Sequence, residues 1–210
     1  MIDLMRFCAN DNDPREYLQA PWKHGKWVYA TNGHVCVRVP AATMPAATEC
    51  DKAPPAHNLF KKHMEDRECE FLVMPPLTAL KICSACYGKG YVHARKCPSC
   101  TEGTFDHHGY SYDCLYCEDS GAGPGWVDTE DERETRRPCN RCDGLGADMR
   151  ENGNAPLGES TYSLVYLNWL AKLPQIRVCP GSPAKTPSAE QIPAVFIFDG
   201  GHAMLMPRRD

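Results

Sequence analysis

No stretch of this 210-residue sequence approaches the roughly 18 consecutive apolar residues that a membrane-spanning helix needs. Its first residues contain no basic segment followed by an apolar run, so we expect no signal peptide and a cytoplasmic location. Basic residues are not in excess either: 23 Lys and Arg face 27 Asp and Glu, a net charge of −4. This balance excludes a generally basic protein that coats nucleic acid.

The common short motifs of catalysis are missing as well. The sequence contains no G-x-S-x-G, no P-loop and no H-E-x-x-H. Asp106, His107 and His108 follow one another and could suggest a metal site, but we interpret them as solvent-exposed. We therefore predict no catalytic residues and a protein that is not an enzyme.

Cysteine, in contrast, is abundant, with 13 residues in the chain. An odd number of cysteines without a signal peptide argues against a disulfide framework and for metal binding. Eight of them form four C-x-x-C pairs, and the other five are scattered and expected to be buried small apolar residues. The pairs are Cys83/Cys86, Cys97/Cys100, Cys114/Cys117 and Cys139/Cys142, and the scattered residues are Cys8, Cys36, Cys50, Cys69 and Cys179.

The C-x-x-C spacing has a physical reason. Two thiolates separated by two residues can converge from one tight turn on a tetrahedral ion, with Zn–S distances of about 2.3 Å. Two turns complete a four-thiolate site, so four turns predict two structural Zn²⁺ ions. Spacing alone leaves open which turns share an ion. His93, His107 and His108 are expected to be surface loop residues, because eight thiolates already fill two sites.

The first and last pairs share a longer pattern, C-x-x-C-x-G-x-G, with glycines at Gly88 and Gly90 and at Gly144 and Gly146. Glycine after a ligand lets the chain turn with positive φ and leaves amide groups free to face sulfur. This segment, about residues 83–146, resembles the cysteine-rich zinc-finger domain of DnaJ-type co-chaperones, which carries four such repeats. In the two inner repeats the glycine comes one or two positions later.

The DnaJ resemblance implies a nested pairing of the repeats, in which the outer two share one ion and the inner two share the other. One site would then be Cys83, Cys86, Cys139 and Cys142, and the second Cys97, Cys100, Cys114 and Cys117. The alternative is that neighbouring repeats pair along the chain.

The cysteine-rich segment is acidic. Residues 83–146 contain seven Lys and Arg and eleven Asp and Glu, and two four-thiolate zinc sites would bring its charge from −4 to about −8. A basic patch at Arg133, Arg136, Arg137 and Arg141 is interleaved with acids and is interpreted as a solvated loop. Phosphate backbones attract clustered Lys and Arg, so a protein partner suits this segment better than a nucleic acid.

The rest of the chain is predicted to form one α+β domain from two segments with a similar order of elements. Asn32-Gly33 between two β-rich runs predicts a hairpin over residues 27–39, and a second hairpin is predicted over residues 194–206. The other predicted elements are strands at 2–7, 69–74 and 175–179, a helix starting at Pro14, helices at 57–67 and 164–173, and a loop at 180–193. The two halves align at Gly33-His34 and Gly201-His202.

Three short motifs of this domain resemble bacterial DNA polymerase sliding clamps. They are the turn Ala30-Thr-Asn-Gly-His34, the helix Tyr162 to Leu170 and the terminal run Ala203 to Arg208. The resemblance implies two strand–helix–strand–hairpin units in one clamp-like domain, so a complete ring would require oligomerisation. Asn32 stands where clamps have an acid, and the helix beginning at Pro14 has one arginine, which disfavours DNA encirclement.

Taken together, the sequence predicts a clamp-like domain in residues 1–80 and 148–210 with a DnaJ-like zinc module inserted at 81–147. The resemblances imply a non-catalytic binding or adaptor protein, a replication or recombination accessory factor of phage or bacterial origin, in the host cytoplasm if phage-encoded. Its partner is expected to be a protein. The alternative function is a chaperone-like or thiol-disulfide protein, although the His-Pro-Asp triplet of J domains is absent.

Overall fold

The computed structural model describes residues 2–10, 13–182 and 191–208. Contacts between residues divide the chain into two compact units. Unit 1 contains residues 1–79 and 153–210, and unit 2 contains Leu80 to Asn152. The chain is mixed α+β, with many short strands and few helices.

The elements are named in chain order. They are β1 (Trp22–His24), β2 (Trp27–Thr31), β3 (Val35–Pro40), α1 (Ala56–Phe60), β4 (Leu72–Val73), β5 (Tyr91–Lys96), β6 (Thr104–His107), β7 (Tyr110–Asp113), α2 (Leu115–Glu118), β8 (Trp126–Thr129), β9 (Thr135–Pro138), α3 (Met149–Asn152), β10 (Asn154–Leu157), β11 (Ser160–Ser163), α4 (Leu164–Leu170), β12 (Arg177–Cys179), β13 (Ala194–Phe198) and β14 (Gly201–Leu205). Three 3₁₀ segments (Leu4–Phe7, Glu16–Leu18 and Ala41–Thr43) and a π-helical turn (Lys61–Glu65) complete the set.

Unit 1 is built on a seven-stranded sheet in the order β1-β2-β3-β14-β13-β12-β4, in which every neighbouring pair is antiparallel. β1-β2-β3 and β12-β13-β14 are two meanders joined through their last strands. Val35 pairs with Leu205 and Val37 with Ala203, and Cys36 faces Met204 between them. The two hairpins therefore lie side by side in the sheet, joined by the β3–β14 pair. The turn glycines with positive φ are Gly33 and Gly200, so the turns match one residue before the predicted Gly201.

Both predicted hairpins are present. The turn between β2 and β3 contains Asn32 and Gly33, and Gly33 adopts φ 91°, a conformation that glycine enters without steric cost. The second hairpin turns at Asp199 and Gly200, so that Phe198 pairs with Gly201. Most of the predicted loop at 180–193 lies outside the described residues; inside them, Ser182 and Ile192 form a bridge at its base.

Other predicted elements differ in type or length. The expected strand at 2–7 is a 3₁₀ turn, because the Asp3 side chain accepts from the Met5 amide and because Leu4 and Phe7, three residues apart, are both buried. The helix expected after Pro14 is a single 3₁₀ turn, and the one expected at 57–67 is α1 followed by the π-helical turn. The strand expected at 69–74 is reduced to β4, and β1 was not predicted.

Successive residues of β2 and β3 point to opposite faces of the sheet, and nearly all of them are buried. Both faces of the sheet of unit 1 are therefore covered at these strands. On one face, α1 packs its Ala56 and Phe60 against Trp22, Tyr29 and Met204. In the second segment, α4 is apolar on nearly all sides and buries six of its seven residues. Phe7 packs edge-on against Trp169 of α4, at 6.2 Å between ring centroids.

Unit 2 contains a three-stranded sheet in the order β8-β5-β9 and the separate hairpin β6-β7, all antiparallel. Unit 2 ends at Asn152, five residues after the end of the insertion that the sequence predicted at 81–147. The reason is local: the Asn152 side chain accepts from the Lys81 amide at 2.7 Å and donates to the Lys81 carbonyl at 2.9 Å. These bonds tie the two ends of the unit together.

Candidate metal centres

The eight paired cysteines gather into two groups, each with four sulfur atoms. Within each group the Sγ atoms all lie within 4.8 Å of one another. The grouping is nested: the outer two C-x-x-C turns meet, and the inner two meet. Centre 1 is Cys83, Cys86, Cys139 and Cys142, and centre 2 is Cys97, Cys100, Cys114 and Cys117.

The sulfur separations test whether an ion fits. A tetrahedron with metal–sulfur distances of about 2.3 Å has edges of about 3.8 Å. The Sγ–Sγ distances in centre 1 include 4.0 Å (Cys83–Cys139) and 3.7 Å (Cys86–Cys142). In centre 2 they include 3.8 Å (Cys97–Cys114) and 3.6 Å (Cys100–Cys117). Both groups therefore have the size and the donor set of a four-thiolate metal site.

Glycine backbones connect the two turns of centre 1 reciprocally. In each turn, one glycine donates its N–H to its own turn's second cysteine sulfur and offers its carbonyl to the first cysteine of the opposite turn. The bonds are Gly90 N to Cys86 Sγ (3.3 Å), Cys139 N to Gly90 O (3.0 Å), Gly146 N to Cys142 Sγ (3.3 Å) and Cys83 N to Gly146 O (2.9 Å).

Centre 2 follows the same rule although its glycine spacing differs. Cys97 N bonds to Gly125 O at 2.9 Å and Cys114 N to Gly103 O at 2.8 Å. Gly125 also donates its N–H to Cys117 Sγ at 3.3 Å, eight residues along the chain. Gly121, the first glycine after this pair in sequence, takes a different role and donates to the carboxylate of Asp128. The sequence analysis did not identify Gly125 as a hydrogen-bond donor to sulfur, because the C-x-x-C-x-G-x-G pattern includes only glycines within four residues of the second cysteine.

Crowding of four sulfurs separates their proton affinities. In centre 1 the hydrogen bond between Cys139 and Cys142 lowers the pKa of Cys139, and the same bond raises the pKa of Cys142. This hydrogen bond therefore favours the thiolate on Cys139 and the protonated thiol on Cys142. Thiolates are the form that binds metal, and a bound dication removes the remaining protons.

The interior of unit 2 consists of little besides these sulfurs. Its buried apolar residues are seven of the eight metal-site cysteines and three alanines, Ala94, Ala122 and Ala147. Half-buried Val92 packs against centre 1 and Val127 against centre 2. No large aliphatic or aromatic side chain is buried anywhere in residues 80–152, all of which the structure describes. Unit 2 thus lacks the apolar core that would hold it together without metal.

The three candidate histidines lie outside both groups of sulfurs. His107 is the last residue of β6 and His108 is in the following turn, and both are exposed. His93 lies in strand β5 rather than in the predicted loop, and its Nδ1 is 3.3 Å from the carbonyl oxygen of Glu134.

The predicted basic patch is largely engaged inside unit 2. Arg133 forms a 2.7 Å ion pair with Asp131. The guanidinium of Arg136 lies 3.4 Å from the ring centre of Tyr91, and Arg137 stacks on a second aromatic ring, Trp126, at 4.3 Å. Arg136 and Arg137 thus pack on aromatic rings of the sheet β8-β5-β9, whereas the side chain of Arg133 is 90% exposed.

The five scattered cysteines lie outside the metal centres. Cys8, Cys36 and Cys179 are buried, and Cys50 and Cys69 are half-buried. Burial raises the pKa of the Cys8 and Cys36 thiols to about 12, so both are protonated at neutral pH. They behave as small apolar side chains.

In unit 1, the structure brings together two of the motifs that resemble sliding clamps. Asn32 in the β2–β3 turn donates from its side chain to the hydroxyl of Tyr166 in α4 at 3.1 Å. The ring of His34 stacks on the same tyrosine, at 5.8 Å between centroids. The Thr31 hydroxyl stabilises the turn by accepting from the Gly33 amide at 3.1 Å. The turn and the helix therefore form one local structure.

Comparison of the chain with protein-family models, curated proteins and solved structures finds no match. Among the residues that the structure describes, every helix is too short or too polar to cross a membrane.

Proposed function

We propose that this chain is a zinc-stabilised binding protein whose inserted unit 2 is held in shape by two structural Zn²⁺ ions. The observation that carries the proposal is the pair of sulfur tetrahedra. Four thiolates close the coordination sphere of zinc and leave no open position for a substrate, so the ions would act in folding and not in catalysis. Unit 2 then serves as a lobe that presents surface residues to a partner.

The charge of unit 2 supports a protein partner. Zinc-loaded centres would carry −2 each, which adds to a segment that is already acidic. Such a lobe repels phosphate backbones, and its arginines contact tyrosine, tryptophan and aspartate side chains within the unit. Nucleic acid is therefore disfavoured as the ligand of unit 2.

Two resemblances refine the proposal. The nested grouping and the glycine turns support a DnaJ-like zinc module for unit 2. The two adjacent meanders of the seven-stranded sheet and the contact between Asn32 and Tyr166 support a clamp-like scaffold for unit 1. On this basis we propose an accessory factor of DNA replication or recombination, of phage or bacterial origin, that works through protein contacts.

Zinc analysis of paired variants tests the metal centres. The wild-type chain is expected to contain two equivalents of zinc. The double variant Cys83→Ala/Cys142→Ala removes two ligands from one centre and should retain one equivalent, whereas Cys83→Ala/Cys97→Ala should retain none. If neighbouring repeats shared ions, the two variants would exchange these results. Cys50→Ala, outside both centres, should keep both ions.

Two activity assays separate a binding protein from the other classes. Metal-loaded and metal-free protein should both fail to reduce insulin disulfides, since reduction by either form would support a thiol-disulfide enzyme. Binding to single- and double-stranded DNA should be weak and should not follow the steep salt dependence of phosphate contacts. Tight, salt-sensitive binding would contradict a function that works through protein contacts.

A further inference from the structure

The hairpin β6–β7 in unit 2 carries an aromatic face that nothing in the described chain covers. Phe105 pairs with Tyr112 and His107 pairs with Tyr110 across the strands. Because side chains opposite each other in a pair point to the same face, and alternate residues share a face, these four rings line one side of the hairpin. The rings of Phe105 and Tyr112 stack at 5.8 Å.

All eight strand residues of the hairpin are exposed. Tyr110 is 70% exposed, Tyr112 47% and Phe105 42%. A two-stranded hairpin is marginally stable by itself and usually rests on a covered apolar face. Three neighbouring aromatic side chains left in water are therefore unusual, and surfaces of this kind mark interaction sites.

The base of the hairpin is fixed by centre 2. It runs between Cys100 and Cys114, and the Cys114 amide bonds to the carbonyl of Gly103 at 2.8 Å. At the tip, His108 (φ 50°) and Gly109 (φ 82°) both adopt positive φ, as a two-residue type I′ turn requires. The bond to Gly103 and the tight turn therefore define the two ends of the hairpin.

The segment that contains this hairpin, bounded by Lys96 and Arg133, carries charge of one sign. Residues 97–132 contain nine Asp and Glu and no Lys or Arg. Two of the acids, Asp106 and Asp113, lie in the hairpin itself, on the face opposite the rings. A zinc-loaded centre 2 would add two further negative charges. Aromatic rings in an acidic field attract cationic side chains, both through Coulomb forces and through cation–π contact.

We propose that the aromatic face of β6–β7 binds an extended, arginine- and lysine-rich segment of another protein. Unit 2 already uses the same chemistry internally, where Arg136 lies over Tyr91 and Arg137 over Trp126. The acidic surroundings exclude a nucleic-acid strand, which would otherwise suit stacked aromatic rings. This inference rests on the proposed function, since centre 2 holds the base of the hairpin.

Fluorescence anisotropy tests the proposal with a labelled peptide of alternating arginine and serine, and with a matched peptide that has glutamate in place of arginine. The full-length wild-type protein should bind the arginine peptide, more weakly at high salt, and should not bind the glutamate peptide. The variant Tyr110→Ala/Tyr112→Ala removes two cation–π platforms and should weaken binding about tenfold. Tyr87→Ala, which removes a 77% exposed tyrosine outside the hairpin, should leave binding unchanged.

Zinc content is measured on the same samples so that the two proposals can fail separately. Wild-type protein with two zinc equivalents and no affinity for the arginine peptide overturns this inference alone, whereas wild-type protein without zinc contradicts the proposed function. If the tyrosine variant loses zinc, Asp106→Asn/Asp113→Asn decides instead: weaker peptide binding supports the proposal and unchanged binding overturns it. Binding of single-stranded DNA that depends on Tyr110 and Tyr112 would also overturn it.

Discussion

Arg38 shows how a single residue can organise the centre of unit 1. Its side chain is 4% exposed, and its guanidinium lies over the rings of Trp27 (4.4 Å) and Phe60 (4.3 Å). Its Nε donates to Nδ1 of His202 at 3.2 Å, and Nη2 donates to the carboxylate of Glu65 at 3.1 Å. A buried charge is tolerated here because both aromatic faces and two acceptors compensate its lost hydration.

Burial and the contact with Arg38 together determine the charge of His202. Burial and, after it, the neighbouring Arg38 guanidinium lower the pKa of His202 to about 4, against a small opposing effect of Glu65. Because Nδ1 accepts from Arg38, the folded protein holds this imidazole neutral, whereas in the unfolded chain it takes up a proton near pH 6.5. The free energy of unfolding of unit 1 should therefore fall as pH decreases from about 6.5 to about 4.

Urea unfolding at several pH values tests this expectation. Between pH 7 and pH 4 His202 should remove about 2 kcal/mol of stability, after allowance for its partial exposure. His202→Gln keeps an acceptor for Arg38 but does not titrate, so its stability should change less with pH in this window. Metal loss and carboxylate protonation affect the wild type and the His202→Gln variant equally. They therefore cancel when the free energies of unfolding of the two proteins are subtracted at each pH. Equal pH slopes for the two would show that His202 is not the titrating group.

At the scale of elements, the glycine turns of the metal centres are the decisive structures. Gly90 has φ 80°, and a Cβ at this position would overlap the carbonyl oxygen of Gly144 in the opposite turn. Its amide and carbonyl both belong to the reciprocal bonds of centre 1. A side chain would therefore introduce backbone strain and also push the two turns apart.

Gly90→Ala should accordingly weaken zinc binding in centre 1 by about 30-fold or more in chelator competition, equivalent to about 2 kcal/mol. Gly109→Ala is a matched control, because Gly109 has nearly the same φ (82°) but nothing within 4 Å of the added Cβ. It incurs the strain of positive φ alone and should change zinc affinity less than about fivefold. Equal effects of the two substitutions would mean that the close approach to Gly144 contributes nothing.

Sequence patterns predicted some of these elements well. Asn32-Gly33 located the first hairpin, and the C-x-x-C pairs located the cysteines that gather into two four-sulfur groups, because turn conformation and thiolate convergence depend on a few adjacent residues. The same local reasoning predicted a strand at Ile2–Phe7, where the structure has a 3₁₀ turn at Leu4–Phe7. The prediction was wrong because it did not consider that the Asp3 side chain accepts a hydrogen bond from the Met5 amide and caps this turn. It also missed the hairpin β6–β7, whose His108-Gly109 turn has no standard sequence signature.

At the scale of the molecule, the two units differ in what stabilises them. Unit 1 has a seven-stranded sheet with buried tyrosine, phenylalanine and leucine side chains, whereas the buried apolar residues of unit 2 are cysteines and alanines. The sheet joins the two segments of unit 1 through β3 with β14 and through β4 with β12. We therefore expect unit 1 to remain folded when unit 2 loses its metal.

Limited proteolysis with and without a zinc chelator measures this independence. The chelated protein should be cut within residues 80–152, and the two flanking fragments should still co-elute in gel filtration because β3 and β14 remain paired. Added zinc before the protease should restore resistance. Resistance of unit 2 in the presence of chelator would contradict its dependence on metal, and digestion of both units at equal rates would contradict the stability of unit 1.

The amino-acid sequence alone shows which atoms can hold metal, since C-x-x-C turns and their glycines act over a few residues. The tertiary structure is needed to tell how the four turns pair, because the pairing depends on hydrogen bonds between turns 56 residues apart, such as the turns of Cys83 and Cys139. It also decided that Gly125 donates to Cys117 and that Arg38 meets His202. These contacts arise from strands and turns distant in the chain, whose pairing leaves no local pattern.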